Sequence, residues 1–332
     1  MNRLAVIGAG SWGTALALTL AQKHSSVRLW VYEADLAESI NRTRANDVFL
    51  PGFTLPGNVE AGTDLAWTVD EAETVLGVMP SHHARSIYSR LAPHVAPDML
   101  FVSATKGLEQ DSLRRISEVI GDVIKPRFTP RVGVLSGPTF AREIARGEPA
   151  AIVISSSDAE LARTIQQRFA GPSWRLYTNA DPVGVEIGAA LKNVIAIAAG
   201  VCAGLGLGAN TMAALITRGL AEITRLAVAA GGSARTLAGL AGLGDLVLTC
   251  NGELSRNRSV GYQLGQGKSL EQILSGMRMV AEGVQTTSAA VALAARHGVE
   301  VPIAAQMHAV LYENKPARAA LRDLMERSLK EE

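Results

Sequence analysis

Cysteine is scarce in this sequence, with two in 332 residues. Cys202 and Cys250 cannot build a disulfide framework and offer no spacing of metal ligands. A surplus of one charge is also missing: 32 basic residues stand against 31 acidic ones, a net charge of +1. That balance gives no electrostatic reason to expect nucleic acid or an anionic membrane as a partner. The most apolar stretch, 185–209, holds Glu186, Lys192 and Asn193, and a bilayer strongly disfavours such charge within a span. It reads as a buried helix, so no membrane span is expected. A β-like run begins at residue 4, which leaves no room for a signal peptide ahead of it. A reducing, cytoplasmic location is the expectation. Internal repeats and low-complexity segments are lacking as well.

What is present is enough apolar material for a sizeable core, 48% of residues against 19% charged, in a length that suits two domains. Through the first half, β-rich runs at 4–7, 27–32, 74–79, 99–104, 132–135, 151–155 and 175–177 alternate with helical segments at 14–23, 35–46, 81–91 and 113–120. That alternation predicts a doubly wound parallel sheet. After Asp181-Pro182 the β signal fades, and Ala, Leu and Gly recur at helical spacing over 185–199, 211–230, 255–264, 270–275, 286–297 and 303–311. The expected fold is α/β: a Rossmann-type domain over 1–180, then an all-α domain over 181–332.

The clearest motif is Gly8-Ala9-Gly10-Ser11-Trp12-Gly13. It follows the run 4–7 and opens a helical segment. In a dinucleotide-binding turn the first glycine permits the tight bend, the second lets the backbone approach the pyrophosphate, and the third lets helix and strand pack closely. The helix start supplies N–H groups and the positive end of its dipole. Glu33 lies twenty residues beyond Gly13, at the end of the second β run, where an acid meets the adenosine ribose. A carboxylate there repels a 2′-phosphate, so the cofactor leans to NAD(H) over NADP(H), although Arg42 and Arg44 are near enough in sequence to reach such a phosphate. For the adjacent Tyr32 two readings stand, packing on adenine or facing the core.

Lys192 is the foremost candidate for chemistry. Three of its four helical neighbours, Gly188, Ala189 and Ala196, are small, which leaves space beside the ammonium for a ligand, with Ile195 the exception. Desolvation there would favour the neutral amine and suit a general acid or base. The competing reading is a lysine that snorkels or pairs with an acid. Asp245 sits in a glycine-rich run, 241–246, read as a turn; it orients Lys192, accepts from a substrate hydroxyl, or only stabilises its own turn. Ser255 reads as a helix N-cap followed by Arg256 and Arg258. Arginines in a first turn oppose the helix dipole unless an anion sits there, which makes this a candidate phosphate grip. The loops carrying Lys106 and 136–139 follow β runs, on the side of the sheet where ligands bind. The adjacent His82 and His83 project differently from a helix and lack a third ligand, and nothing near Cys250 would activate it. No metal is expected.

These residues carry a resemblance. The segments 8–15, 104–109 (Ala-Thr-Lys-Gly-Leu-Glu), 136–141 (Ser-Gly-Pro-Thr-Phe-Ala), 191–196, 242–250 and 255–258 stand in order over essentially the whole chain. Together they resemble the bacterial-type NAD(P)-dependent glycerol-3-phosphate dehydrogenases. The resemblance implies interconversion of dihydroxyacetone phosphate and sn-glycerol 3-phosphate, a precursor of glycerophospholipids, by a cytoplasmic homodimer. It implies that Lys192 donates and accepts the proton. It also implies substrate contacts at Lys106, Gly137, Thr139, Asp245, Ser255, Arg256 and Asn257, and dinucleotide contacts at Ser11, Trp12, Tyr32, Lys106, Ala141, Arg256, Val280 and Glu282. Many bacterial members carry a basic residue where this chain has Tyr32, and that departure again points to NAD(H). A 3-hydroxyacid dehydrogenase shares the plan but has less use for two arginines at one helix start. A redox-sensing NAD binder has no use for a desolvated lysine.

Overall fold

The computed structural model describes residues 3–277 and 280–329. Contacts divide the chain into two compact units, Met1–Glu109 with Arg114–Pro182, and Gln110–Leu113 with Val183–Glu332.

Among the described residues the first unit is built on ten strands: β1 (Arg3–Ile7), β2 (Ser26–Trp30), β3 (Ala45–Asn46), β4 (Leu50–Thr54), β5 (Val59–Gly62), β6 (Thr74–Gly77), β7 (Leu100–Ser103), β8 (Arg131–Ser136), β9 (Ala150–Ser155) and β10 (Trp174–Asn179). Eight of them form one sheet in the order β10-β9-β8-β7-β6-β1-β2-β5, and β3 pairs with β4 alone. Helices α1 (Ser11–Leu20), α2 (Ala34–Thr43), α3 (Leu65–Val69), α4 (Ala84–Leu91), α5 (Ile116–Ile124), α6 (Ala141–Ala145) and α7 (Ala159–Phe169) connect the strands. The central strand shows why its sequence is apolar without alternation. Leu4 and Val6 enter the core on one face of the sheet, while Ala5 and Ile7 enter the core on the other. A strand covered on both faces reads as a continuous apolar run. From β1 the chain builds outward through β2 to β5, then returns to the opposite side of β1 as β6. The turn after β1 therefore stands at a topological switch point, where ligands bind in open α/β sheets.

Three expectations need correction. The sheet is dominated by parallel pairs, but β8 and β9 run antiparallel. Their connection holds only the five-residue α6, which rises about 7 Å and is too short to carry the chain back along a strand for a parallel crossover. The helix expected over 35–46 stops at Thr43, because Arg44 turns into the left-handed region with φ 56°; Ala45–Asn46 then form β3. The helix expected over 113–120 begins only at Ile116, since Leu113 has φ 61°.

The second unit is helical: α8 (Pro182–Gly204), α9 (Ala209–Ala229), α10 (Ala234–Leu237), α11 (Asp245–Asn251), α12 (Arg256–Gly265), α13 (Leu270–Ser275), α14 (Glu282–His297), α15 (Pro302–Tyr312) and α16 (Ala317–Met325). Helix α8 is long and apolar enough to cross a membrane by length and composition, yet 89% of its apolar window is buried inside the protein. It is the core helix of this unit. Two of its glycines bring it into backbone contact with α12. A β-carbon on Gly200 would lie 2.0 Å from the Arg258 carbonyl oxygen, and one on Gly204 would lie 2.2 Å from that of Tyr262. In return, a β-carbon on Gly261 would lie 1.9 Å from the carbonyl oxygen of Ile197. The start of α12 is thus held at a fixed height along α8.

Candidate active site

The two units carry separate sets of functional side chains. In the first, β1 ends in the glycine turn. Gly8 has φ +118°, and a β-carbon there would sit 2.5 Å from the Val78 carbonyl oxygen. A β-carbon on Gly13 would lie 1.8 Å from the carbonyl oxygen of Gly8, so α1 packs directly on the turn. At Gly10 such a carbon would meet nothing within 4 Å. The loop is therefore closed where strand and helix touch and open where a pyrophosphate would approach. These features fit a dinucleotide, and the opening turn of α1 presents N–H groups that have no intrahelical partner.

Residues outside the motif lock this shape. Asn46 is fully buried and donates to the Ala9 carbonyl and to Thr14 Oγ1, both at 2.8 Å. The Thr14 hydroxyl itself donates to the Ala9 carbonyl at 3.1 Å. Ser11 Oγ donates to the Phe49 carbonyl at 2.6 Å, and the Trp12 ring packs 6.0 Å from that of Trp174. Sequence reasoning missed Asn46, which fell in the tail of an expected helix. At the edge of the unit, Glu33 is the N-cap position of α2. Tyr32 is 75% exposed, with its ring edge-on to Trp30 at 6.2 Å, which removes the core-facing reading. The Arg44 guanidinium donates to the carbonyls of Leu55 and Pro56, while Arg42 is exposed in the last turn of α2.

Beyond β7 and β8, Lys106 joins two loops. Its Nζ donates to the Gly137 carbonyl at 3.0 Å and to Thr139 Oγ1 at 3.2 Å, while the Thr139 hydroxyl donates to the Gly137 carbonyl. Ala141 opens α6 next to them.

In the second unit, Lys192 lies midway along α8 and is 5% exposed. Its Nζ donates to Asp245 Oδ1 at 2.5 Å and to Thr249 Oγ1 at 2.8 Å. The Thr249 hydroxyl donates in turn to the Asp245 carbonyl at 2.6 Å. Two corrections follow. Asp245 is not on a turn: a π-helical turn over Leu240–Gly244 runs straight into α11, whose first residue is Asp245. Such turns are rare and cluster at functional sites. Nor do the small neighbours of Lys192 leave a void on every side. A β-carbon on Gly188 would meet Leu237 Cδ1 at 2.9 Å and the Ala241 carbonyl oxygen at 3.1 Å, so this glycine is used for packing. Lys192 is thus a buried ammonium with an acid beside it, and the carboxylate stabilises the charge that burial alone would disfavour. Thr249 was not singled out from sequence; its signal was the four-residue spacing from Asp245, which sets both on one helix face. Burial pushes the Cys250 thiol up to about 12, so it is inert, as a packed thiol should be.

Ser255 does cap α12, its Oγ accepting from the Arg258 N–H at 3.2 Å. Asn257 is buried and its Oδ1 accepts from the Gly283 N–H at 2.9 Å, one residue past Glu282, which begins α14. Arg256 is exposed. The Arg258 Nε is buried without a partner among the described residues. Val280 is 41% exposed. Among the described residues, no group of three or more His, Cys, Asp or Glu side chains is gathered to hold a metal.

Comparison with known proteins gives a family match in each unit. Residues 3–162 match the family described as NAD-dependent glycerol-3-phosphate dehydrogenase N-terminus, and residues 181–322 match its C-terminus. A glycerol-3-phosphate dehydrogenase (NAD(P)+) of Koribacter versatilis is 57% identical over 329 residues, covering 98% of each chain. One of Geobacter sulfurreducens is 52% identical, covering 100% of this chain and 99% of its own. The crystal structure of glycerol-3-phosphate dehydrogenase from Coxiella burnetii superposes with a TM-score of 0.94 at 38% identity, covering 98% of this chain and 99% of that one. The chain belongs to the NAD-dependent glycerol-3-phosphate dehydrogenase family.

Proposed function

We propose that this chain interconverts dihydroxyacetone phosphate and sn-glycerol 3-phosphate, with Lys192 as the group that gives and takes the proton. When bound, the nicotinamide cofactor supplies or receives the hydride at the carbon of the reacting carbonyl. Lys192 completes the reduction by passing a proton from Nζ to the carbonyl oxygen, and takes it back in the reverse direction. The observation that carries this reading is the set Lys192, Asp245 and Thr249: a lysine buried in the core helix, 2.5 Å from its acid and aimed by two acceptors. Asp245 favours the proton-loaded form before transfer, and Thr249 fixes the direction of the third bond of the head group.

The substrate phosphate calls for donors that carry charge. Arg256 fills that role in our reading, with Ser255 and Asn257 shaping the start of α12, and Lys106, held by Gly137 and Thr139, is assigned as a further substrate contact. Ser11, Trp12, Ala141, Val280 and Glu282 are assigned to the dinucleotide, together with the glycine turn. Between the two nicotinamide dinucleotides we favour NAD(H), because Glu33 places a carboxylate three residues beyond the end of β2, at the N-cap of α2, and Arg44 is held by loop carbonyls. Glu33→Ser should then raise the use of NADPH relative to NADH.

The deciding experiment is oxidation of NADH and of NADPH by dihydroxyacetone phosphate, in wild type and Lys192→Ala. Wild type that binds NADH but never oxidises it with this substrate would sink the assignment. Full activity in the lysine variant would remove only the mechanism. We further propose that the protein works as a homodimer in the cytoplasm and supplies glycerol 3-phosphate to glycerophospholipid synthesis. Light scattering of the purified protein tests the first of these, and loss of phospholipid labelling in a depleted strain tests the last.

A further inference from the structure

The segment 104–109 enters the proposed function only through Lys106, yet its last residue, Glu109, is held by a two-bond pair with Arg85. Glu109 accepts from two Arg85 nitrogens, Nε at 2.7 Å and Nη2 at 2.8 Å. A planar, two-bond pair of this kind fixes orientation as well as distance. Arg85 stands in the first turn of α4, and its Nη2 also donates to Asp122 of α5 at 3.2 Å. The other Asp122 oxygen pairs with Arg114, at the far end of the same loop. Two cations and two anions therefore link α4, α5 and both ends of the β7–α5 connection. The Glu109 N–H donates to the Arg114 carbonyl at 2.9 Å, Leu108 bridges to Arg115, and Leu108 is 1% exposed. On the other side of Lys106, the Thr105 hydroxyl donates to the Met79 carbonyl at 3.0 Å.

We infer that Glu109 is a positioning residue for Lys106: with Arg85 it clamps the downstream side of the loop, as Thr105 clamps the upstream side. The Glu109 side chain is 13% exposed while that of Arg85 is 40% exposed, so solvent screens the charge of this pair and the hold rests on its two-bond geometry. The Arg85 guanidinium is held above its usual range, first by the bond to Glu109. Lys106 spans from one loop to another, and a side chain that bridges loops delivers its charge correctly only while its own backbone stays fixed.

The inference rests on the reading that Lys106 contacts substrate, and the test separates the two. Steady-state kinetics with dihydroxyacetone phosphate are compared for Lys106→Met, Glu109→Gln, Arg85→Met and the Lys106→Met/Glu109→Gln pair, each below its own melting temperature. Glu109→Gln should lower kcat/KM about tenfold, mostly through KM, and Arg85→Met should reproduce it. In the Lys106→Met background Glu109→Gln should have no further effect, because the residue acts through Lys106. A purely structural role would lower the melting temperature and multiply with Lys106→Met. Kinetics of Glu109→Gln within twofold of wild type, beside an impaired Lys106→Met, would overturn the inference alone. An unimpaired Lys106→Met would remove the reading of Lys106 and the inference with it.

Discussion

Asp245→Asn isolates what holds Lys192 charged. The carboxylate is 1% exposed and lies 2.5 Å from Nζ; the amide keeps its shape and one oxygen but removes the counter-charge. Stranding one partner of a buried pair destabilises by about 3–5 kcal/mol. The folded variant has one escape, release of the lysine proton. From an ordinary value near 10.4 that costs about 1.4 kcal/mol for each of roughly 3.4 units at pH 7, or about 5 kcal/mol. The two costs meet near neutrality, so above it the neutral lysine becomes the easier state. The unfolded chain then binds one proton more than the folded one, and the stability of the variant rises with pH relative to wild type. Urea denaturation should show a deficit of about 3–5 kcal/mol at pH 7 that shrinks by about 1.4 kcal/mol per unit towards pH 9. Adding Lys192→Met should recover most of it, since the stranded lysine charge is then gone. A deficit under about 1 kcal/mol, the scale of an exposed pair, and flat with pH, would refute the claim that this acid holds the lysine.

The glycine turn gives a paired prediction. Gly10→Ala should leave the melting temperature nearly unchanged and weaken NADH binding, measured by fluorescence titration, because its β-carbon meets nothing in the protein. Gly13→Ala should destabilise by more than about 2 kcal/mol before any ligand is added, since its β-carbon would lie 1.8 Å from the Gly8 carbonyl oxygen. In the second unit, buried Glu222 accepts from the N–H groups of Ile303 at 2.8 Å and Ala304 at 2.9 Å, at the start of α15. Burial pushes its carboxyl from 4.5 up to about 7, against the pull of those two donors. The folded state then holds the proton more tightly than the unfolded one, so this contribution is complete below about 4.5 and fades as pH rises through 7. Its full size is about 3 kcal/mol. Wild type should lose stability relative to Glu222→Gln over that range, and parallel urea profiles would refute it.

Much of the fold was legible because local signals and the final structure agree. The run 4–7 is apolar without alternation because both faces of β1 are covered, and the helix expected over 14–23 is present as Ser11–Leu20, shifted three residues because Gly10 is its N-cap and the chain turns after Leu20. Failures came where backbone geometry overrode side-chain pattern. Arg44 and Leu113 take left-handed conformations that no rule assigns to arginine or leucine, so helix ends were misplaced on either side of them. The short strand β5 and helix α3 were missed for a different reason. Each has only a few residues, and their apolar positions gain meaning only from the sheet edge they cover.

The site divides along the same line. Lys192 and Asp245 were visible as charges in apolar surroundings, and Ser255 as a cap. Thr249 and Asn46 were not, because a hydroxyl or amide marks a site only when the fold gives it a partner, Lys192 in one case and Ala9 in the other. Glycine is the hardest residue to read for function, because space left for a ligand and space filled by a neighbouring backbone look the same in sequence. Gly188 was read as room beside the lysine and is filled by Leu237 and Ala241, while Gly200 and Gly261 are filled by the opposing helix. Among the glycines of the nucleotide turn, only Gly10 faces open space. A glycine whose absent β-carbon would strike protein serves packing; one whose absent β-carbon would strike nothing, inside a loop otherwise closed on itself, marks where the ligand goes. By that criterion Gly10 alone of the three leaves a pyrophosphate space to approach, while beside Lys192 the Gly188 side of α8 is filled.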